Sequence, residues 1–106
     1  MEAINFHLAG HKATRFVTDS LIVDYDDDES IVGIEIVGYS YISGRPLAEA
    51  DFAWLKHQVI SLGCDSESDV LSLHIRFGNN VGQKKLMASF GFDVDGRLLS
   101  LSISPP

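Results

Sequence analysis

Three side chains, His7, Asp24 and Glu35, could share one catalytic or metal-binding face. Alternation along the strands expected around them turns all three toward the solvent side of the first half of the chain. A histidine beside two carboxylates can hold a transition metal or act as a general base. The sequence thus offers a site for a metal, a small ligand or a hydrolytic reaction. The alternative is that these are solvated strand positions, since the second half repeats only the histidine, as His74.

A second arrangement of oxygen ligands begins at the same aspartate. Carboxylates occupy positions one, three, five and twelve of an EF-hand-like loop, where calcium takes its ligands: Asp24, Asp26, Asp28 and Glu35. Position six is Glu29 instead of the glycine that an EF-hand needs, and both flanks alternate like strands. The sequence therefore favours a tight turn over a calcium site, and no bound metal is predicted.

Aromatic and acidic side chains in two stretches are typical of a protein contact surface. Aromatic residues are enriched at such surfaces, and clustered carboxylates can steer a basic partner. The predicted partner-binding residues are Trp54, Tyr39, Tyr41, Asp26, Asp27, Asp28 and Glu29. The alternative is that Trp54 packs at the rim of the core and the tyrosines cover the helix described below.

The composition limits the class of protein and of partner. The chain has 106 residues, a hydrophobic fraction of 45% and a formal net charge of -7, which suits one globular domain over 1–106. Its 8 Lys and Arg residues are scattered, whereas nucleic-acid binding needs clustered positive charge. No apolar run is long enough to span a membrane, and a lone Cys64 suits a reducing compartment. We therefore expect a cytoplasmic protein without a cofactor, a nucleic-acid partner or a membrane anchor.

An internal repeat organises most of the chain. At an offset of 67 positions, which places Tyr25 on Phe92 and His7 on His74, residues of like chemical type coincide without a gap. The copies span about 2–40 and 64–104. Apolar residues alternate in each copy as in strands with one buried face: Ile4, Phe6, Leu8, Leu21, Val23, Tyr25, Val32, Ile34 and Ile36, then Leu71, Leu73, Ile75, Phe77, Ala88, Phe90, Phe92, Leu99, Leu101 and Ile103. Each copy is predicted to be an antiparallel meander of about three strands.

The acidic letters DDDES of the first copy coincide with DVDGR of the second, between two alternating runs. Asp, Gly and Ser at such a place favour a tight hairpin turn, because they cap local backbone groups or tolerate positive φ. Glu29 stands where the second copy has Gly96, so we expect the first turn to be looser.

The stretch between the copies is predicted to be one helix over about 46–62. It begins at a proline, carries acidic residues early and ends before Gly63. One apolar stripe recurs at three-to-four spacing: Ala48, Phe52, Leu55, Val59 and Leu62. The predicted fold class is α+β, with two related antiparallel meanders of about six strands and one helix packed on the apolar sheet face. Bare sheet edges also predict a homodimer formed by sheet extension.

The letters LIVDYDDDESIVGIEI resemble the back half of the YuzE-like family of small bacterial domains, and CDSESDVLSLHI resembles the front half. The chain carries two degenerate tandem copies of this pattern, with a segment inserted between them. The resemblance implies a small β-rich fold without established chemistry, and some members look like antitoxin partners of small toxins. It carries over no catalytic residue.

The function predicted from these observations is a non-enzymatic, acidic protein-binding module. It would be an antitoxin-like or inhibitory partner of a basic protein. The acidic turn would steer the approach of this partner, and the aromatic residues would be buried in the contact. The alternative is a metal- or small-ligand-binding protein, or a hydrolase, that uses His7, Asp24 and Glu35.

Overall fold

The computed structural model describes residues 3–104, which form one seven-stranded antiparallel sheet curled into a half-barrel. The strands are β1 (Ile4–His7), β2 (Arg15–Tyr25), β3 (Ile31–Val37), β4 (Ser61–Asp65), β5 (Val70–His74), β6 (Gly82–Phe92) and β7 (Leu98–Ile103). Their order across the sheet is β1-β7-β6-β2-β3-β5-β4. A one-turn helix, α1 (Tyr39–Ser43), and two 3-10 turns, Glu49–Phe52 and Leu55–His57, lie between β3 and β4. Within this part of the chain no helix has the length and apolar character needed to cross a membrane.

Side chains on the concave face of the sheet form the core, as the alternation predicted. The buried residues of the strands include Leu21, Val23, Ile34, Ile36, Leu71, Leu73, Phe90, Phe92, Leu101 and Ile103. Burying each such side chain contributes roughly 1.5–3 kcal/mol to folding. Short polar side chains cover much of the convex face, among them Ser20, Ser72, Ser89, Ser100 and Ser102.

The sequence repeat is also a structural repeat. β6 is β2 shifted by 67 positions, and β7 begins 67 positions after β3. The hairpins β2–β3 and β6–β7 each have a register shift at the equivalent step, immediately before Tyr25 and immediately before Phe92. Equivalent residues therefore hold equivalent places, down to the irregularities of the ladder.

The two copies exchange their first strands. β1 pairs with β7 of the second copy, and β5 pairs with β3 of the first. The prediction of two self-contained meanders is therefore wrong, because the first strand of each copy pairs with the hairpin of the other copy. The hairpins join along the β2–β6 pair, from Arg15 opposite Phe92 to Tyr25 opposite Gly82. A sequence offset identifies equivalent residues, but it does not determine which copy a strand pairs with.

Asp26 and Asp93 close equivalent turns in the two hairpins. The Asp26 N–H donates to the Ser30 carbonyl at 3.0 Å, and its Oδ1 accepts two backbone N–H groups at 3.0 and 2.9 Å. The same bonds recur around Asp93, at 2.9, 2.9 and 2.8 Å. Glu29 has a left-handed φ of 59° where Gly96 has 83°. The predicted hairpin turn is confirmed, and the first turn is as tight as the second.

The predicted helix over 46–62 is wrong, and the fold is mainly sheet, with no element that makes it α+β. The segment 38–60 covers the concave face as α1 and the two 3-10 turns, and the residues expected to end the helix belong to β4. The apolar stripe still packs into the core, with Phe52 and Leu55 fully buried. Side chains on one face recur at i and i+3 in a 3-10 turn, and at i, i+3 and i+4 in an α-helix. The apolar spacing therefore did not distinguish the two structures.

Contacts with two distant strands explain why the segment is not a straight helix. Gln58 Nε2–H donates to the His7 carbonyl of β1 at 3.4 Å. Two residues later, the Ile60 N–H donates to the His74 carbonyl of β5 at 2.8 Å. A helix of this length would be a rod of about 25 Å, which could not run to β1 and turn back to β4. The tight turns let the segment tie equivalent carbonyls of the two copies together.

The two copies differ at their outer edges. In the second copy, the outer edge of β5 is covered by β4, with Gly63 of β4 opposite Ser72 of β5. Residues 3–104 include no strand that covers the equivalent edge of β1, which is the first strand of the sheet order. The positions that correspond to Ser72 and His74 are Asn5 and His7. The outer edge of β1 is therefore open.

Candidate functional site

Two cavities lie at equivalent places on the convex face, one in each half. The first, here the Phe16 groove, has a volume of about 710 Å³ and is lined mainly by Phe6, His7, His11, Ala13, Phe16 and Ser100. The second, here the Asp24 pocket, has a volume of about 450 Å³ and is lined mainly by Asp24, Gly33, Glu35, Ser72, Leu73 and His74. The 67-position offset places His7 on His74 and Ser100 on Gly33. The two cavities thus occupy equivalent positions in the two halves, but the residues that line them differ in chemical type.

Residues that line the Phe16 groove pack over Gly91, which has no side chain. Phe16 lies opposite Gly91, which lies opposite Ser100 on the next strand. A Cβ atom at Gly91 would collide with the Ser100 hydroxyl and lie 3.1 Å from the Phe16 ring. Phe16 itself is 67% exposed. An exposed aromatic ring beside an open, mostly apolar cavity is suited to receive an apolar group.

His7 and His11 make the polar rim of the Phe16 groove. His7 Nε2–H donates to the His11 carbonyl at 3.1 Å, and His11 Nδ1–H donates to the Ala9 carbonyl at 3.2 Å. In the neutral rings these bonds leave His7 Nδ1 and His11 Nε2 as acceptors. Lys12, which also lines the groove, adds a cationic donor. The rim can therefore orient a polar group next to the apolar floor.

Two carboxylates and a histidine line the Asp24 pocket. Asp24 and His74 lie opposite Gly33 on the two neighbouring strands, and Glu35 follows two residues later on β3. Asp24 Oδ1 accepts a hydrogen bond from Gln83 at 2.8 Å, and its Oδ2 is 3.0 Å from the place of a Gly33 Cβ. Asp24 therefore leans over the glycine toward His74. The pocket is suited to a small polar ligand with a positive group.

The exchange of first strands decides which histidine joins the carboxylates. The sequence grouped His7 with Asp24 and Glu35 on one face, on the expectation that β1 would pair within its own copy. β1 pairs with β7 instead, so His7 lies opposite Ser100. The structure separates His7 from both carboxylates and places the equivalent His74 beside them.

The acidic turn forms a carboxylate cluster of its own. In the described part of the chain, Asp26, Asp27 and Asp28 are the one group of acidic, His or Cys side chains whose ligand atoms all lie within 4.8 Å of one another. Asp26 is already committed to the turn, and Glu29 lies 3.5 Å from Lys84 Nζ. Asp24 and Glu35, which hold the first and last ligand positions of the EF-hand-like spacing, are not part of this cluster. The turn explains the geometry of these residues without an ion.

The aromatic residues predicted to bind a partner occupy three different environments. Tyr39 is 1% exposed and packs edge to face against Phe52, with ring centroids 5.2 Å apart. Trp54 is half-buried and donates its Nε1–H to the Leu98 carbonyl at 3.0 Å. Tyr41 is 93% exposed and belongs to α1, which follows the end of β3 away from the acidic turn. Of the three, only Tyr41 presents most of its ring to solvent.

Among residues 3–104, four groups have clearly shifted pKa values, and all of them lie outside the two cavities. Burial raises the pKa of Tyr39 and, to a smaller extent, that of Cys64. The hydrogen bond to Asp51 raises the pKa of Arg45, with the Arg45 Nε at 2.7 Å from Asp51 Oδ2. The N–H of Ser68 lowers the pKa of the Asp65 carboxyl. These shifts belong to packing and to turns.

The Phe16 groove was not predicted from the sequence, although a signal for it was present. Alternation along β2 puts Phe16 on the face opposite Leu21 and Val23, where the neighbouring residues are short and polar. A large aromatic ring on a wet face is unusual. Gly91 and Ser100, which lie on the two strands beside the ring, could be placed there only once the strand order was known.

No protein-family model, curated protein or solved structure matches this chain. The resemblance to the YuzE-like family stays a prediction. Function is therefore inferred from the geometry and chemistry of the two cavities.

Proposed function

We propose that this protein is a non-enzymatic protein-binding module whose Phe16 groove receives an apolar side chain of a partner. The observation that carries the proposal is the exposed Phe16 ring beside a cavity of about 710 Å³. Aromatic residues beside pockets that exclude water dominate the energy of protein interfaces. The cavity beside the ring, which is lined by small residues such as Ala13 and Ser100, gives the partner's side chain room to pack against the ring.

The groove supplies direction as well as apolar contact. The acceptor nitrogens of His7 and His11 stand at its rim, together with the Lys12 ammonium group. Such polar groups around an apolar centre fix the orientation of a bound segment. A partner that buries an aliphatic or aromatic side chain between polar backbone groups fits this arrangement.

The charge of the chain favours a basic partner. The net charge is -7, and exposed carboxylates stand in the turns at both ends of the sheet, including Asp27, Asp28 and Asp95. Charge spread in this way speeds association with a positively charged protein more than it strengthens the final contact. We therefore propose an antitoxin-like or inhibitory role in the cytoplasm, in which the module covers a functional surface of a basic protein.

The test is capture of the partner by tagged protein from the lysate of its own cells, at low and high salt. The test variant is Phe16→Ala, and the control is Phe77→Ala, which removes a ring that is 81% exposed beside the Asp24 pocket. We expect a stoichiometric basic protein with the unchanged chain and with Phe77→Ala. Phe16→Ala should lose it, and high salt should weaken it.

Two results would contradict the proposal. The first is equal capture by the two variants, which would remove the groove from the contact surface. The second is a pure, unaccompanied protein at low salt, which would remove the partner. Circular dichroism of Phe16→Ala should match that of the unchanged chain, because the ring is mostly in solvent.

A second candidate function is binding of a small cationic ligand in the Asp24 pocket. It is favoured by the presence of Asp24, Glu35 and His74 in the lining of one cavity, with Asp24 and His74 on the two strands beside Gly33. Native mass spectrometry of the purified protein should then show a bound molecule that Glu35→Gln releases. Its retention by Phe16→Ala would separate this function from the first.

A further inference from the structure

We propose that two copies of this chain pair through the open edge of β1, antiparallel and centred on Asn5, to form one continuous sheet. This inference goes beyond the proposed function and does not depend on it. It rests on the internal repeat, because the same edge is covered in one half of the molecule and open in the other. β4 shows within this chain what a covering strand looks like.

The open edge presents the peptide groups of Asn5 and His7. The Leu8 N–H donates to the Leu99 carbonyl of β7 at 2.9 Å, so the even-numbered residues of β1 direct their peptide groups to β7. Peptide groups alternate in direction along an antiparallel strand. Those of Asn5 and His7 therefore point outward, just as the equivalent His74 carbonyl points to the β4 side, where it accepts the Ile60 N–H at 2.8 Å.

The exposure of one apolar side chain indicates that β1 lacks a neighbour. Ile4 of β1 is only half-buried, whereas its equivalent, Leu71 of β5, is 0% exposed. The difference lies in β4, whose Cys64 is opposite Leu71 and whose Leu62 is opposite Leu73. A strand beside β1 would bury Ile4 in the same way.

A second β1 has the side chains that the missing strand needs. Antiparallel pairing with Asn5 opposite Asn5 of the second copy places Ile4 opposite the second copy's Phe6, and Phe6 opposite its Ile4. These apolar pairs reproduce the contacts of Leu62 and Cys64 with β5. β1 carries no Asp, Glu, Lys or Arg, so the two strands can approach although each chain is acidic. Sheet edges without charged residues are the ones that pair.

The register is self-complementary along the whole strand. Ala3, just before β1, comes opposite His7, and the Asn5 residues exchange both of their hydrogen bonds across a twofold axis. The His7 carbonyl already accepts Gln58 at 3.4 Å, and its second lone pair remains for the new strand. Two copies would thus join their seven-stranded sheets edge to edge.

Sedimentation velocity over a wide concentration range tests the pairing. We expect a dimer for the unchanged chain, a monomer for Asn5→Pro and a dimer for Asn5→Ser. Proline removes an outward N–H and leaves the β1–β7 ladder intact, as edge strands allow. Serine is the residue of the second copy at this position. A monomeric mass for the unchanged chain at every concentration, or a dimer of Asn5→Pro, would overturn the proposal.

A disulfide tests the register directly. Asn5→Cys in a Cys64→Ser background should cross-link on oxidation, because hydrogen-bonded antiparallel pairs have Cα atoms about 5.5 Å apart, within the range of a disulfide. Ser102→Cys in the same background is the control. Ser102 lies opposite Asn5 on β7, so two copies of it would be three strand spacings apart, about 14 Å. Cross-linking by Ser102→Cys instead of Asn5→Cys would show a different interface.

Discussion

Ser20 lies directly opposite Met87 in the β2–β6 pair, and these two residues also hold equivalent positions in the two copies. Pairs on either side are related through this one, as Arg15 opposite Phe92 is related to Tyr25 opposite Gly82. The Ser20–Met87 pair therefore marks a local twofold axis of the sheet. Each half is therefore a matched control for the other, position by position.

Glu29→Gly should stabilise the protein by about 0.5–1 kcal/mol, because Glu29 holds a left-handed φ of 59° that its equivalent Gly96 adopts without strain. Its ion pair with Lys84 is exposed and contributes little. Urea unfolding measures the change. Asp69→Gly is the contrast: φ there is 56°, but the Asp69 carboxylate accepts the Ser40 hydroxyl and N–H at 2.6 and 3.0 Å. Asp69→Gly should destabilise, and equal effects of both variants would contradict this account.

Tyr39→Phe should leave the stability unchanged or raise it by up to about 1 kcal/mol. The Tyr39 hydroxyl is buried and lacks a hydrogen bond of good geometry, with the Ser43 side chain nearby, and removing a poorly satisfied buried polar group relieves its desolvation cost. The ring contacts with Phe52 and Phe92 remain. Thermal and urea unfolding at pH 7 measure the effect. A loss of more than 1 kcal/mol would show that the hydroxyl is bonded after all.

The same tyrosine should make the protein sensitive to alkali. Burial, and then the charge of Asp51, raises the pKa of Tyr39, so the folded protein keeps a proton that the unfolded chain loses near pH 10. The contribution of Tyr39 to the free energy of unfolding is therefore intact below about pH 9. Above about pH 10 the free energy of unfolding falls by up to about 1.4 kcal/mol per pH unit. Tyr39→Phe should have a smaller loss between pH 9 and 11. Tyr41→Phe, at an exposed ring, should behave like the unchanged chain.

Trp54→Phe should lower the free energy of unfolding by about 1 kcal/mol, because it removes the hydrogen bond to the Leu98 carbonyl. It should leave capture of the proposed partner unchanged, in contrast to Phe16→Ala. Parallel unfolding and pull-down measurements separate the two roles. Loss of the partner with no loss of stability would return Trp54 to the contact surface.

Cys64 should react slowly with thiol reagents at pH 8. Burial, and to a smaller extent Glu49, raises its pKa, and the thiolate is the reactive form. The rate of reaction with a chromogenic disulfide should rise when urea unfolds the chain. A folded-state rate equal to the unfolded-state rate would show that the thiol is open to solvent.

Periodicity predicted the strands well because burial of one sheet face constrains every second residue. It placed Leu21, Val23, Ile34 and Ile36 correctly in the core, and the repeat predicted the turn at Asp26 from its partner at Asp93. Both signals are local, and both depend on side-chain chemistry that the sequence states directly.

Long-range pairing could not be read in the same way. The apolar spacing of Phe52 and Leu55 fits a helix and a pair of 3-10 turns equally. Hydrogen bonds of Gln58 and Ile60 to distant carbonyls favour the 3-10 turns. The candidate site failed for the same reason. His7 and His74 are interchangeable in a repeat, and only the exchange of strands assigns His74 to the carboxylates.

The exchange of first strands also governs how the chain can fold. Ile4 pairs with Ile103, so β1 leaves the ribosome long before the strand it needs exists. Neither half can complete its own ladder, and contacts of such long sequence separation slow folding. We expect one slow, cooperative folding step that starts from the hairpins and ends when β1 docks. A nascent chain stalled before β7 would hold its first strand exposed to chaperones.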